Sequence, residues 1–388
     1  MNPSKLIVSL LVFCAVLCSV SAGISGSQSS NTGLRRSYTA LFQTRGGAIA
    51  VKSKPVQLKP SAAKVDGQVA SAAKTASPLK VVGLFGLWYF FTICSSSAMT
   101  SASKAMPLPW AGTAMRLWVG SAFIMALWKT GIKPEPVVTK ETIKSVSPVS
   151  AMSTLTLLLT GMAYAAGSLP FVSIVKSAEP ATMALINAVF FGKLLPAPVY
   201  ASLIPVIGGV GLASLKELNF SALCLILSMM VNVTSSLRSI MAKGLTNTGL
   251  KPSALTGLNS ILGAMMITPI ALVLEGAKLL DIYRKVAGGD ADMTAQLKRF
   301  LVLNCVSGIC LFLFYEGNFM CLNAVGPLSH SIGSTIGRVV VIAAGVLIYR
   351  TKMTPLNVLG AALAVGGVFL YSYMQNLYAA RAAADKAK

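Results

Sequence analysis

The feature that confines this chain is the recurrence, from Leu79 onward, of apolar runs long enough to cross a membrane, separated by short stretches with charge, proline or glycine. A hydrocarbon core about 30 Å thick is spanned by a helix of about 20 residues, and hydrocarbon offers no partner to an unpaired backbone group. Ten such runs are read, at approximately 83–102, 109–130, 145–165, 168–191, 196–215, 219–241, 253–275, 300–322, 328–349 and 354–374. The one long hydrophilic connection, Glu275 to Arg299, reads as a loop carrying surface segments. Only 11% of the 388 residues are charged and 54% are hydrophobic, whereas a soluble domain is about 25% charged, so a soluble globular protein is excluded. Lys and Arg number 33 against 11 Asp and Glu. Because apolar stretches fill the space between these charges, the expected partners are lipid and small anions, not nucleic acid.

The runs repeat at an offset of 157 residues: Pro170 pairs with Pro327, Lys193 with Arg350 and Pro198 with Pro355, and Gly208–Gly209 corresponds, one residue out of step, to Gly366–Gly367. Each repeat then holds five spans, and an odd number turns the second copy upside down in the membrane. The expected fold is therefore an all-α integral membrane bundle of about ten helices in two inverted five-helix repeats, the architecture of alternating-access transporters. Small residues at Gly208, Gly209, Gly211, Ala213, Gly360, Ala361, Ala362, Gly366 and Gly367 are expected to let helix backbones approach closely.

The N-terminal segment has its own logic. Residues 1–22 combine Lys5, the apolar run LIVSLLVFCAVLCSV and small residues up to Ala22, the pattern of a secretory signal peptide, with an uncleaved anchor as the alternative. Residues 23–80 hold nine Lys or Arg and a single acid, Asp66, among many Ser, Ala and Thr, which resembles a transit peptide. A signal followed by a transit-like segment resembles the bipartite presequence of algae with secondary plastids; a basic tail of a secretory-pathway protein is the alternative. Residues 81–376 are assigned to the transporter domain and 377–388 to a polar C-terminal tail.

A cation at the centre of a span costs about 2.5–3.5 kcal/mol or more on the insertion scale, so each needs a partner or a function. Lys176 and Arg338 lie in the fourth and ninth runs, repeat counterparts, and are expected to converge on an anion in a central cavity. An ion pair between Lys176 and Glu179, one turn along, is the structural alternative. Arg238 and Lys243, near the end of the sixth run, either snorkel to the interface or stand at the cavity mouth. Thr160 and Tyr315 are hydroxyl groups placed to assist, although a membrane Thr usually bonds its own helix. Glu316 is a candidate partner for a cavity cation, and His330 is read as a packing residue. Cys94, Cys224, Cys305, Cys310 and Cys321 are scattered without metal-ligand spacing and His330 is the sole histidine, so neither a metal nor any other cofactor is expected. No enzyme motif is present.

Several segments resemble one family in order. GLWYFFTICSSSAMTSASKAMPLPW is similar to the opening span of the plastid phosphate translocators, the triose-phosphate/phosphate exchangers of the drug/metabolite transporter superfamily. IVKSAEPATMAL resembles their IKALEPFF motif, ASLKELNFS their SLTELSFN, NVTSSLRSIMAKG their NISFTYRSIYSKK, and VGPLSHSIGSTIGRVVVI their VAPLTHAVGNVLKRVFVI. The resemblance implies the drug/metabolite transporter fold and a phosphate group held by Lys176 and Arg338 with help from Thr160 and Tyr315. It also exposes departures. The family's lysine before the arginine is Gly337 here, its histidine three residues before the threonine is Leu157, and opening-span asparagines are replaced by Thr92 and Ser96. Losing one charge-assisted contact removes roughly 1.5–3 kcal/mol, leaving Arg238 or Lys243 to complete the clamp or the substrate to be a different anion.

The expected function is exchange of inorganic phosphate for a phosphorylated C3 to C6 metabolite, triose phosphate foremost, across a plastid envelope membrane. A nucleotide-sugar carrier of the secretory pathway and a non-transporting membrane scaffold are the competing readings.

Overall fold

Apolar runs in this chain become helices, and the few polar residues at their ends decide where each begins. The computed structural model describes residues 78–387 except positions 134, 137, 193, 216–220 and 247–251. The signal and transit segments, up to residue 77, and Lys193 lie outside the described residues. The helices are α1 Pro78–Ala105, α2 Pro109–Lys129, α3 Lys140–Ala166, α4 Leu169–Lys176, α5 Glu179–Phe191, α6 Ala197–Ala201, α7 Ile204–Leu215, α8 Ala222–Thr246, α9 Pro252–Ala287, α10 Ala291–Tyr349 and α11 Pro355–Ala387. Thr139 caps α3 by accepting from the Thr142 amide, Ser168 caps α4 by accepting from Phe171, and Asp290 caps α10 by accepting from Met293.

Among the described residues, nine segments are long and apolar enough to cross a membrane, counting α4 with α5 and α6 with α7 as one each and α10 as two. The tenth is α2, 21 residues long, whose apolar character Arg116 dilutes. Large apolar side chains such as Phe190, Leu194, Val273 and Leu347 remain exposed on the outside of the bundle, where lipid would meet them. Buried apolar residues of α3, α4, α7 and α8 form the main core.

The 59 residues of α10 form one helical element that doubles back in two legs, Ala291–Leu322 and Ser329–Tyr349. Trp88 of α1 has Phe314 at 6.3 Å and His330 at 5.1 Å between ring centroids. In a straight helix those two would stand about 24 Å apart along the axis. The first leg runs antiparallel to α1, with reciprocal Ser95–Ser307 hydrogen bonds further along. The second leg runs parallel to it, with Tyr89 donating to the Gly333 carbonyl at 2.7 Å and Tyr349 to that of Ser97 at 2.8 Å.

Counterpart spans of the two halves meet head to tail, as inversion requires. A Cβ on Gly209 would stand 2.3 Å from the Ala364 nitrogen, one on Gly360 2.6 Å from that of Ala213, and one on Gly367 2.7 Å from that of Val206. Residue numbers rise along α7 as they fall along α11. In the same way Leu169 of α4 meets Gly345 of the second leg of α10, while Lys176 meets Arg338. The glycine contacts are backbone against backbone, the close approach that small residues permit. Gly208, Gly211 and Gly366, expected to share this role, have open space where a Cβ would go.

Two expectations are corrected. The stretch from Glu275 to Arg299 is not a loop: α9 continues to Ala287, with Lys285 paired to Asp281 at 3.1 Å, and only residues 288–290 separate it from α10. Hydropathy marks where a helix leaves lipid, not where it ends. Conversely, the fourth and fifth runs are broken, at Ser177–Ala178 and at Ser202–Leu203.

Replacing Gly209 by Ala should destabilise the folded protein by roughly 1–3 kcal/mol, because a methyl group would overlap the α11 backbone. Gly208→Ala should leave the melting temperature of the detergent-solubilised protein unchanged. Thermal unfolding of the two variants side by side checks the difference.

Candidate anion-binding site

The break in the fourth span follows from Pro180. A proline nitrogen carries no hydrogen, so the carbonyl four residues earlier, that of Lys176, has no helical donor. Arg338 supplies one: its Nη1 donates to the Lys176 carbonyl at 3.0 Å. The preceding carbonyl, Val175, accepts from the Ala178 amide at 3.0 Å and from Asn232 Nδ2 of α8 at 2.9 Å. Helix α5 then restarts at Glu179 with proline in its first turn, a position where the missing N–H does no harm.

The break gathers charge. Arg338 Nη2 lies 3.5 Å from Glu179 Oε2, and the other Glu179 oxygen accepts from Ser235 of α8. The Lys176 side chain, half-buried, has Glu179, Arg338, Tyr315 and Arg238 as its electrostatic neighbours. Arg338 thus reaches the Lys176 backbone, and the direct ion pair of Glu179 is with Arg338, not with Lys176 as the structural alternative had it. An acid distant in sequence from Arg338 reaches it because counterpart spans cross at the break.

The other candidates divide. Tyr315 and Arg238 are within electrostatic range of Lys176. Thr160 is buried on α3 and donates to the Thr156 carbonyl at 2.7 Å, the local bond expected of a membrane threonine, which leaves its oxygen lone pairs as acceptors only. The backbone of Lys243 continues α8; its side chain lies outside what the structure describes. Glu316 pairs with Lys133 from the α2–α3 connection, not with a cavity cation. His330 stacks on Trp88 with ring planes 18° apart, a packing role. At Gly337, where the resemblance leads one to expect lysine, a Cβ would meet the Tyr89 ring at 3.0 Å, and Leu157 packs against the main apolar core.

Sequence reasoning missed three things. The proline at 180 was itself the signal for the helix break. Asn232 and Ser235 carry no recognisable pattern, since their role depends on where α8 lands. Arg116 was visible as a cation well inside a span: it is 2% exposed, donates from Nη1 to Asn304 Oδ1 and from Nη2 to Thr113 Oγ1, both at 3.0 Å, and its Nε has no partner among the described residues.

Among the described residues, nine segments able to cross a membrane and α2 beside them, with counterpart spans packed antiparallel and an ion pair at a broken helix inside the bundle, make this an all-α membrane transporter. The chain belongs to the Triose-phosphate Transporter family, whose signature matches residues 79–372. It is 31% identical over 305 residues to phosphoenolpyruvate/phosphate translocator 1, chloroplastic, of Oryza sativa subsp. japonica, covering 78% of this chain and 73% of that one. It is 30% identical over 305 residues to glucose-6-phosphate/phosphate translocator 2, chloroplastic, of Arabidopsis thaliana, covering 77% and 76%. Xylulose 5-phosphate/phosphate translocator, chloroplastic, of Arabidopsis thaliana is 30% identical over 308 residues, covering 79% and 73%.

Pro180→Ala tests whether the break matters. The new N–H competes with Arg338 for the Lys176 carbonyl, a charge-assisted bond worth roughly 1.5–3 kcal/mol. Transport should fall about tenfold or more while the melting temperature holds or rises. Uptake into liposomes and thermal unfolding, measured on one preparation, read both quantities.

Proposed function

We propose that the protein is an antiporter that exchanges inorganic phosphate for a phosphorylated C3 to C6 metabolite, with triose phosphate the first candidate, across a plastid envelope membrane by alternating access. The observation that carries this reading is the approach of Arg338 to Lys176 and Glu179 at the helix break within the bundle, with Tyr315 and Arg238 within electrostatic range of Lys176. Cations held among apolar walls favour an anion, and the names of the relatives specify phosphate exchange against sugar phosphates or phosphoenolpyruvate.

In this reading Lys176 and Arg338 hold the phosphoryl oxygens, Tyr315 donates a hydroxyl hydrogen, Thr160 lines the α3 side, and Arg238 and Lys243 stand toward the mouth. An empty site keeps uncompensated positive charge, and closing low-dielectric walls over it is costly. A bound phosphate neutralises that charge and lets the two halves exchange orientation. The return step then needs a bound anion as well, which makes the carrier an exchanger.

Lys176→Ala and Arg338→Ala should each nearly abolish phosphate counter-exchange in proteoliposomes without loss of folded protein. Wild-type exchange by a well-folded Arg338→Ala protein would place the anion elsewhere. Omitting internal phosphate should stop uptake of the organic substrate.

For the destination we propose a plastid with additional envelope membranes, reached by a bipartite presequence. Residues 1–22 alone should carry a fluorescent reporter into the secretory system and residues 1–80 should carry it to the plastid. A reporter with the longer segment that stays in the endoplasmic reticulum would favour the nucleotide-sugar reading.

A further inference from the structure

Two polar contacts between the halves lie near opposite ends of one interface, that of α2 with the first leg of α10. At the end where α2 leads into α3, Lys133 pairs with Glu316. The lysine is placed by its own chain: past the end of α2 its amide donates back to the Leu127 carbonyl at 3.1 Å. Its ammonium stands 5.9 Å from the centre of the Phe312 ring, which packs on Phe123 of α2. Side-chain exposure is 24% for Lys133 and 16% for Glu316, so the pair is only weakly screened by water and salt. The second Glu316 oxygen is buried without a hydrogen-bond partner among the described residues, which leaves Lys133 as the carboxylate's one partner there.

At the other end of the interface the contact has a different chemistry. Met106 and Leu108 pack with Phe300, and Arg116 donates to the neutral side chain of Asn304. Among the described residues no ion pair between the halves spans that end. Parting the halves there admits water to a buried cation whose Nε has no partner among those residues, which offsets part of the cost. The repeat does not copy the ion pair. At the offset of 157 residues the counterparts of Lys133 and Glu316 are Asp290, which caps α10, and Leu159, which is fully buried in the apolar core. In a carrier of inverted repeats the two end states arise by exchanging the conformations of the repeats. Contacts present in both repeats therefore balance, and a contact present in one tips the equilibrium.

We infer that Lys133 and Glu316 form a one-sided latch, which holds the bundle shut at the α2–α3 connection and biases the carrier toward opening at the Arg116 end. The inference rests on the alternating-access part of the proposed function and not on the identity of the anion. Releasing the latch frees a whole end of the bundle, including contacts between the halves that do not touch the ion pair. One such contact is available at the same end: the Phe85 ring stands against Gly333, whose carbonyl accepts from Tyr89. An ion pair with a merely local role would loosen its own surroundings alone.

Hydrogen–deuterium exchange of the full chain in detergent separates the two without any substrate. In Glu316→Gln, backbone exchange should rise roughly three- to tenfold, the range between an exposed and a buried pair. The rise should cover residues 83–90 and 329–337 as well as 127–133 and 312–320, and should leave 105–112 and 297–304 at or below their wild-type exchange. Lys133→Gln should act alike, and the double glutamine variant should go no further than either single one. Exchange that rises only beside the ion pair, that rises equally at both ends, or that adds up in the double variant overturns the latch. If Glu316→Gln does not fold, Lys133→Gln decides by the same pattern. Phosphate counter-exchange is measured on the same wild-type preparation. Its absence overturns the phosphate reading and leaves the latch to be judged on hydrogen exchange, which needs no anion.

Discussion

A single missing hydrogen organises the centre of this transporter. Pro180 cannot donate to the Lys176 carbonyl, hydrocarbon cannot replace the donor, and an unpaired carbonyl in a membrane interior costs several kcal/mol. Arg338 from the counterpart span supplies the bond. That contact joins the two halves at the break and brings the guanidinium to Glu179, with Tyr315 and Arg238 within electrostatic range of Lys176. The same device satisfies Val175 through Asn232. Helix α8 is thus held to the break by amide and hydroxyl hydrogen bonds, and the second leg of α10 by a charged one.

What was legible in the sequence follows from what hydrophobicity can encode. The spans could be read because each is a long run without charge, and the importance of Lys176 and Arg338 because they violate that rule. The glycines of α7 and α11 announced close packing, yet Gly209 and Gly208 are neighbours with opposite fates, one against the α11 backbone and one facing open space. Helical phase relative to a distant partner decided between them, and no local pattern contains that phase. The partner of Glu179 was misread for a related reason. Lys176 is a helical neighbour in sequence, but the chain breaks between the two, and the break removes the turn on which the local ion pair would have formed. The overextended loop after Glu275 shows the converse: charge ended the apolar run but not the helix, because Lys285 and Asp281 stabilise an exposed turn as readily as lipid tolerates a buried one.

Not every intramembrane cation belongs to the site. Arg116 is more deeply buried than Arg338, and its hydrogen-bond partners among the described residues are neutral: Asn304 on the first leg of α10 and Thr113 on its own helix. Glycines crowd it: a Cβ on Gly161 would stand 3.2 Å from its Nη2, and one on Gly308 2.8 Å from its carbonyl oxygen. A cation so enclosed ties α2 of the first half to α10 of the second. Near the opposite end of α2, Lys133 and Glu316 tie the α2–α3 connection to the same leg of α10 by charge. Both links join elements from different halves, so relative motion of the halves must strain or exchange them. The candidate site, by contrast, sits where counterpart spans cross.

In the proposed exchanger, Glu179 would alter the electrostatics in a way the cations alone would not. Were the cations unopposed, the empty site would be more strongly positive and a polyvalent anion would be released more slowly. With the carboxylate in place, Arg338 already has a partner, so under the proposed function an arriving phosphoryl group would share the guanidinium with Glu179 instead of claiming a bare charge. Sharing weakens ground-state binding while leaving the neutralisation needed for closure. A carrier gains from that balance, because turnover depends on letting the ligand go on the far side as much as on catching it on the near one. The proline, the broken helix and the acid that follows it are adjacent in sequence because each depends on the last: Pro180 opens the turn, the open turn draws in Arg338, and Glu179 at the new helix start moderates it.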